Sequence, residues 1–221
     1  IGRMAAHQLK VPVIVHTYHG HVFHSYFNSA KTKLILTAER YLAKRSDAII
    51  AISNAQQKEL TEDFNIAPND KFRIIPLGLD LEKFSQDYAG KRKKFRDEFG
   101  IEDDEIAIAI IGRLVPVKNH TLFLEALQYV LNNTTRKVKA FIVGDGETRP
   151  ALEAKAKEFG IFFTGEKDTN HPHPLIFTSW RIDVDVINAG VDIIALTSFN
   201  EGTPVSLIEA QAACKPVVST R

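Results

Sequence analysis

The sequence predicts an α/β protein made of two Rossmann-like domains, each a doubly wound parallel sheet. Its apolar runs are short and rich in Val and Ile, and helical patterns separate them, as in parallel strands buried on both faces. A polar segment from Gly78 to Lys94 interrupts this alternation and indicates a domain boundary. The 221 residues, 44% of them apolar, suffice for two small domains, which we place at residues 1–85 and 86–221.

In the first domain, three apolar runs predict strands and the stretches between them predict helices. The predicted strands are Val11–His16, Asp47–Ile52 and Phe72–Leu77, and the predicted helices are Lys31–Lys44 and Ala55–Phe64. Ser53 and Asn54 precede the second helix and are typical capping residues. The order strand, helix, strand therefore favours parallel pairing.

A cluster of histidines, His16, His19, His21 and His24, lies at and after the end of the first strand. Their spacing is not that of a recognised zinc motif, and no cysteine or acidic residue accompanies them, so we expect no metal site. We interpret His16 as a packed core residue. A histidine in such a loop can also donate to a phosphate or sugar oxygen.

The second domain shows the alternation more clearly. The predicted strands are Ile106–Ile111, Val138–Val143, Leu175–Thr178, Asp192–Leu196 and Pro216–Val218. The predicted helices are Thr121–Leu131, Ala151–Phe159 and Val184–Ala189, followed by one that starts near Pro204. Lys91–Lys94 is interpreted as a solvated linker or a first helical turn, and Cys214 as a small buried residue at a helix end.

Composition excludes several classes of function. The 28 basic and 27 acidic side chains nearly cancel, which gives no reason to expect a nucleic-acid partner. The single cysteine excludes an intrachain disulfide and fits a reducing compartment. No apolar run approaches the ~20 residues of a membrane span. We therefore expect a cytoplasmic protein.

Ligands of doubly wound sheets bind at the carboxyl ends of the strands. After Ile106–Ile111, Gly112 allows close approach to the backbone, and Arg113 and Lys118 stand just ahead of a helix. Two cations at a helix start are unfavourable unless an anion lies between them, so the loop predicts a phosphate or diphosphate site. The turn that follows Val138–Val143, G-D-G-E, lacks a dinucleotide fingerprint and is interpreted as a tight turn with Asp145 near the cap.

A second candidate loop is F-N-E-G-T-P-V-S-L-I-E-A-Q, Phe199–Gln211. Pro204 suits a helix start, and the amides of the next two residues, Val205 and Ser206, would face a ligand. Glu201 in the loop and Glu209 in the helix could bracket that ligand, because carboxylates accept hydrogen bonds from vicinal hydroxyls. Cations for phosphate and acids for hydroxyls together predict a nucleotide-sugar site.

The motifs G-R-L-V-P-V-K-N-H, V-G-D-G-E and N-E-G-T-P-V-S-L-I-E-A-Q-A-A resemble, in order and spacing, those of the retaining glycosyltransferases of family 4. H-T-Y-H-G-H and I-I-P-L-G-L-D in the first half are similar to the N-terminal domain of that family. The resemblance implies a GT-B architecture of two Rossmann-like domains facing a cleft. It also implies a chain truncated at both ends, with residues 1–85 from the acceptor-side domain and 86–221 from the donor domain.

The resemblance implies a role for each matching position. Glu209 would bind ribose hydroxyls, Glu201 the donor sugar, Arg113 and Lys118 the diphosphate, His19 the donor sugar from the first domain, and Arg181 the region of the base. The implied catalytic group is Glu201, His19, Arg113 and Lys118. The implied donor-binding group is Glu209, Gly112, Gly202, Thr203, Val205, Ser206 and Arg181.

The expected function is transfer of a sugar from a UDP- or GDP-sugar, with retention of anomeric configuration, in polysaccharide or glycoconjugate synthesis. No cofactor or metal is expected, and the acceptor, lipid-linked or saccharide, stays open. A nucleotide-sugar epimerase and a non-catalytic or membrane-associated module are the alternatives. The basic stretch Lys31–Arg45, which carries Leu34, would allow peripheral contact with the inner face of a membrane.

Overall fold

The computed structural model describes residues 1–20, 23, 29–165 and 173–220. They form two compact units, Ile1–Leu79 and Asp80–Arg221. The first unit contains, in chain order, α1 (Gly2–Gln8), β1 (Val15–Tyr18), α2 (Ser29–Lys44), β2 (Ala48–Ala51), α3 (Asn54–Lys58), a π-helical turn (Glu59–Asp63), a 3₁₀ turn (Asn69–Lys71) and β3 (Phe72–Ile74).

The first unit is built on a parallel sheet in the order β1-β2-β3. Its core includes Ile49 and Leu60, which are fully buried. Lys71 precedes β3 and donates to the carbonyls of Ala43, Lys44 and Ser46 at 2.9–3.2 Å. Because the last carbonyls of a helix lack intrahelical partners, this lysine closes the C-terminal end of α2.

The second unit contains more elements. They are α4 (Glu82–Ser85), α5 (Tyr88–Phe99), β4 (Ile106–Ile111), a 3₁₀ turn (Pro116–Lys118), α6 (His120–Asn133), β5 (Val138–Val143), α7 (Arg149–Glu158), β6 (Phe163–Thr164), β7 (Leu175–Ser179), α8 (Val184–Gly190), β8 (Ile193–Leu196), α9 (Val205–Ala212) and β9 (Val217–Ser219). All described strand pairs are parallel, in the order β6-β7-β5-β4-β8-β9.

Two apolar layers cover this sheet. On one face, α5, α8 and α9 contribute residues such as Phe95, Ile187 and Ala210. On the other, α6 and α7 contribute residues such as Leu124 and Leu152. Burial on both faces explains why the strand sequences are almost continuously apolar rather than alternating.

In this unit, two buried lysines close helix ends. Lys139 on β5 donates to the carbonyls of Phe99 and Gly100 at the end of α5. Lys215 donates to the carbonyls of Ala189 at 2.9 Å and Val191 at 2.6 Å, where α8 ends. These bonds explain how two ammonium groups can be buried in this unit, because a buried charge needs hydrogen-bond partners.

Helices α5, α7 and α9 end in the same way, because each is followed by a residue whose backbone is in the left-handed conformation. These residues are Gly100 (φ 57°), Gly160 (φ 70°) and Cys214 (φ 55°). At α9 the amide of Lys215 donates to the carbonyl of Ala210 at 2.9 Å. Cys214 is exposed, so the expectation of a buried residue is wrong. The left-handed backbone at Cys214 ends α9 there, so this residue does not continue the buried face of the helix.

Several predicted bounds differ from the structure. β1 begins at Val15 rather than Val11, because its partner β2 begins at Ala48 and the amide of Ile14 is bonded to the Asp47 carboxylate at 2.7 Å. Lys91–Lys94 lies near the start of α5, which agrees with a helical turn and excludes a linker. The two units divide after Leu79, whereas the sequence placed the boundary after Ser85; α4 packs against α8 and α9 of the second unit.

Candidate functional site

The strand order of the second unit identifies the site. β5, β7 and β6 lie on one side of β4, in that spatial order. β8 and β9, which come later in the chain, lie on the other side of β4. The strand order therefore reverses between β4 and β8, and in doubly wound sheets ligands bind outside the strand ends at such a point. The loops at this point are residues 112–119 and 197–204.

Hydrogen bonds hold these two loops together. The amide of Phe199 donates to the carbonyl of Val117 at 2.9 Å, and the hydroxyl of Thr197 donates to the carbonyls of Lys118 and Asn119. The backbone after β8 is thus fixed to the 3₁₀ turn after β4. Predicted phosphate-binding and hydroxyl-binding residues consequently lie in one hydrogen-bonded frame.

Within this frame the structure brings together two of the predicted catalytic residues. The ammonium Nζ of Lys118 lies 2.5 Å from Oε1 of Glu201, and the hydroxyl of Ser198 donates to the same oxygen at 2.6 Å. Both charged side chains are mostly covered, with 25% of the Lys118 and 21% of the Glu201 side chain exposed. Partial removal from water strengthens such a pair relative to a surface ion pair.

Gly144 explains why the loops after β4 and β5 approach so closely. It has φ 135°, and a Cβ there would lie 2.0 Å from the carbonyl oxygen of Gly112. The amide of Leu114 donates to the carbonyl of Asp145 at 3.0 Å. The Asp145 carboxylate accepts from the Gly146 amide at 2.7 Å, and this bond holds the pKa of Asp145 below its usual value. The interpretation of G-D-G-E as a tight turn agrees with these bonds.

The start of α9, a few residues after Glu201, offers a backbone donor, the Ser206 amide. Gly202 and Thr203 lie in the preceding loop, and Pro204 is the N-cap. The sequence suggested that the amide of Val205 would face a ligand. In the structure this amide donates to the carbonyl of Thr203 at 2.9 Å and is therefore not open to a ligand. The Ser206 amide has no hydrogen-bond partner in the described part of the chain. It therefore remains a donor at the positive end of the α9 dipole.

Glu209 lies one turn further along α9 and is partly buried. Burial raises the pKa of its carboxyl, and the positive charge of Lys83 on α4 partly offsets that effect. Near the start of the same helix is a cavity of about 320 Å³, which includes Glu201, Pro204, Leu207 and Thr220 in its lining. The cavity adjoins the carboxyl ends of β8 and β9.

The remaining predicted residues have varied surroundings. Arg113 is exposed, with no ion pair among the described residues, and can reach an anion. The guanidinium of Arg181 is held by the carboxylates of Glu98 and Asp183, whose hydrogen bonds raise its pKa. These contacts tie Arg181 to the ends of α5 and α8. His19 in the first unit is exposed directly after β1.

Two residues near the site were not predicted from the sequence. Ser198 is 7% exposed, and its spacing of three residues before Glu201 could have indicated a contact. His120, the first residue of α6, is 2% exposed, and neither ring nitrogen has a partner among the described residues. Burial, with the nearby Lys118 charge, lowers the pKa of His120 to about 4. No local sequence signal marks that burial.

The histidine cluster is only partly described. His16 packs edge-on against Tyr18, with ring centroids 4.6 Å apart, and burial lowers its pKa. His21 and His24 lie outside the described residues. In the part of the chain that the structure describes, no three His, Cys, Asp or Glu side chains are grouped so that they could hold a metal ion.

Comparisons with known proteins match both halves of the chain. Residues 91–221 match the family described as Glycosyl transferases group 1, and residues 1–83 match Glycosyltransferase Family 4. The UDP-Gal:alpha-D-GlcNAc-diphosphoundecaprenol alpha-1,3-galactosyltransferase of Escherichia coli is 30% identical over 220 residues, 99% of this chain and 54% of the relative. The D-inositol 3-phosphate glycosyltransferase of Segniliparus rotundus is 26% identical over 190 residues, 84% of this chain and 39% of the relative.

Solved structures show the same fold. HepE of Anabaena, solved in complex with UDP and glucose, superimposes with a TM-score of 0.79 at 21% identity, over 99% of this chain and 55% of that one. WaaG, a glycosyltransferase involved in lipopolysaccharide biosynthesis, gives a TM-score of 0.71 at 18% identity, over 99% and 62%. The chain thus spans about half the length of its curated relatives.

Proposed function

The chain belongs to the Glycosyl transferases group 1 family and has the predicted GT-B fold, and on this premise we propose that it acts in transfer of a sugar from a nucleoside-diphosphate sugar to an acceptor. The observation that carries the proposal is the pairing of Lys118 with Glu201 at the point where the strand order reverses. A cation for diphosphate and a carboxylate for hydroxyls meet there, and a nucleotide sugar presents both groups.

In this proposal the leaving nucleoside diphosphate gains negative charge as the glycosidic bond breaks. Lys118, Arg113 and the Ser206 amide stabilise that charge without a metal ion, as preorganised donors do at other sites of developing charge. Glu201, with the backbone of Gly202 and Thr203, positions the donor sugar, and Glu209 binds the ribose. These groups leave no protein nucleophile assigned, in keeping with retention through attack of the acceptor on the same face.

The proposed donor is a UDP-sugar, because the Escherichia coli relative is a UDP-Gal transferase and HepE was solved with UDP and glucose. The name of the former also includes a diphosphoundecaprenol acceptor, which supports a lipid-linked or saccharide acceptor here. His19, exposed after β1, would contact the donor sugar. Because its guanidinium is bonded to two carboxylates, we give Arg181 only a supporting role near the base.

The test is release of UDP or GDP from a panel of nucleotide sugars by the intact protein, with and without saccharide and lipid-linked acceptors. Lys118→Ala should lower kcat/KM by about 10²–10³-fold, the usual cost of losing a charge-stabilising contact. Glu209→Ala should lower it by about 10–100-fold, because it removes hydrogen bonds between a carboxylate and the ribose. Lys155→Ala and Glu158→Ala, which break an ion pair on α7, are matched controls expected to keep full activity. Isomerised nucleotide sugar formed without acceptor would favour an epimerase instead, and absence of any nucleotide-sugar binding would refute the proposal.

We also propose peripheral contact of α2 with an anionic membrane. Leu34 and Tyr41 are 71% and 44% exposed on this helix, and Lys33 and Lys44 are exposed beside them. Two exposed apolar side chains seven residues apart, and so on one face of the helix, with cations beside them suit the headgroup boundary of an anionic bilayer. Among the described residues, none of the helices combines the length and apolarity needed to cross a membrane.

Sedimentation with vesicles tests this contact. Binding to phosphatidylglycerol vesicles should weaken in Leu34→Glu and at high salt, because both the apolar and the electrostatic contributions are then reduced. Lys155→Glu changes the charge on α7 and should bind like the wild type. Equal binding to neutral phosphatidylcholine vesicles, or none to either kind, would contradict the proposal.

A further inference from the structure

The Lys118–Glu201 pair has a consequence that rests on the proposed function and deepens it. Both Lys118 and Ser198 bond to one oxygen of Glu201, Oε1, at 2.5 and 2.6 Å. An ionised carboxylate offers about four acceptor sites, so the second oxygen can still accept from sugar hydroxyls. The ammonium group, however, is shared between the carboxylate and any phosphate that binds beside it.

The surroundings fix the carboxylate better than the ammonium. Ser198 is 7% exposed, and its carbonyl accepts from the hydroxyl of Thr220 at 2.9 Å, which holds the backbone beneath Glu201. Glu201 therefore keeps its hydrogen bond from the Ser198 hydroxyl when Lys118 moves away. Lys118 has a flexible four-carbon stem and can turn toward a diphosphate, whose charge exceeds that of one carboxylate.

We propose that Ser198 is a positioning residue for donor-sugar recognition, which holds Glu201 in place while Lys118 exchanges that carboxylate for the donor diphosphate. The exchange couples the two halves of the donor. Sugar hydroxyls then donate to the Glu201 oxygen that Lys118 has left, and the ammonium group of Lys118 binds the diphosphate. Without the sugar half, a nucleoside diphosphate must compete with Glu201 for Lys118.

This coupling makes an unusual prediction for the nucleotide alone. Glu201→Gln removes the competing charge but keeps the side-chain shape, so it should bind UDP about threefold to tenfold more tightly than the wild type. The same variant should bind UDP-galactose or UDP-glucose more weakly. In a Lys118→Met background the gain in UDP affinity should disappear, because no ammonium remains to be released.

Ser198→Ala should leave UDP affinity within about twofold of the wild type and weaken UDP-sugar affinity about tenfold, since only the sugar half depends on the position of Glu201. Ser198→Thr keeps the hydroxyl and should restore sugar binding. Ser85→Ala, which removes an exposed hydroxyl bonded to its own helix backbone, is the matched control.

Titration calorimetry with UDP and with the UDP-sugar measures each affinity on the intact, folded variants. The proposal is supported if Glu201→Gln gains UDP affinity only when Lys118 is present and Ser198→Ala loses sugar affinity alone. It is overturned if Glu201→Gln weakens UDP and UDP-sugar equally, or if Ser198→Ala weakens both. A wild type that binds neither nucleotide refutes the proposed function itself, and the inference fails with it.

Discussion

Buried His120 should make the second unit sensitive to acid in a defined pH window. An unfolded histidine takes up a proton below its ordinary pKa of 6.5, whereas folded His120 stays neutral until about pH 4. Between these values the unfolded state binds more protons, so the free energy of unfolding falls as the pH falls. The difference of roughly 2.5 pKa units corresponds to about 3 kcal/mol lost across the window.

The comparison variant is His120→Leu, which has a similar volume and no ring nitrogens. Because both nitrogens of the native ring lack partners in the described part of the chain, the variant should be at least as stable near neutral pH. Its free energy of unfolding should also fall less on acidification. Urea unfolding from about pH 7 to about pH 4.5 measures both values. Fluorescence of Trp180, the one tryptophan of the sequence, reports on the second unit.

A histidine NMR titration supplies the independent check. Lys118→Met removes a charge that lowers the His120 pKa, so the midpoint of this residue should rise, while Lys155→Met on α7 should not move it. Parallel pH profiles for the wild type and His120→Leu, or a native His120 midpoint near its ordinary value, would show that the burial argument is wrong.

Three further predictions concern other positions. Cys214→Gly should stabilise the chain by about 0.5–1 kcal/mol, because glycine adopts φ 55° without the steric cost of a Cβ, and Gly160→Ala should have the opposite effect in thermal unfolding. Lys215→Met should destabilise by about 2–4 kcal/mol in urea titrations, since it leaves the buried carbonyls that accept from Nζ without partners. Nucleotide affinity should fall on acidification as Glu209 is protonated, at a higher pH than for an ordinary glutamate, and calorimetry of Glu209→Gln should show that pH dependence abolished.

Much of the fold could be read from local patterns. Runs rich in Val and Ile predicted β4 and β5 with their observed bounds, because strands buried on both faces are almost continuously apolar, Lys139 being the one polar residue of β5. β1 was misplaced, because apolarity alone does not say where a neighbouring strand begins to pair.

The sequence by itself determined which chemical groups follow the strands: Lys118 after β4, and Glu201 with Glu209 around the start of α9. Only the tertiary structure decided their partners. Lys118 and Glu201 are 83 positions apart, and they meet because β8 returns to pair with β4. Arg181 lies equally far from Glu98, which holds its guanidinium. Such contacts depend on the order of the strands in the sheet and on the packing of helices against it. Strand order and packing depend on the burial of the whole core, so no local run of residues predicts these contacts.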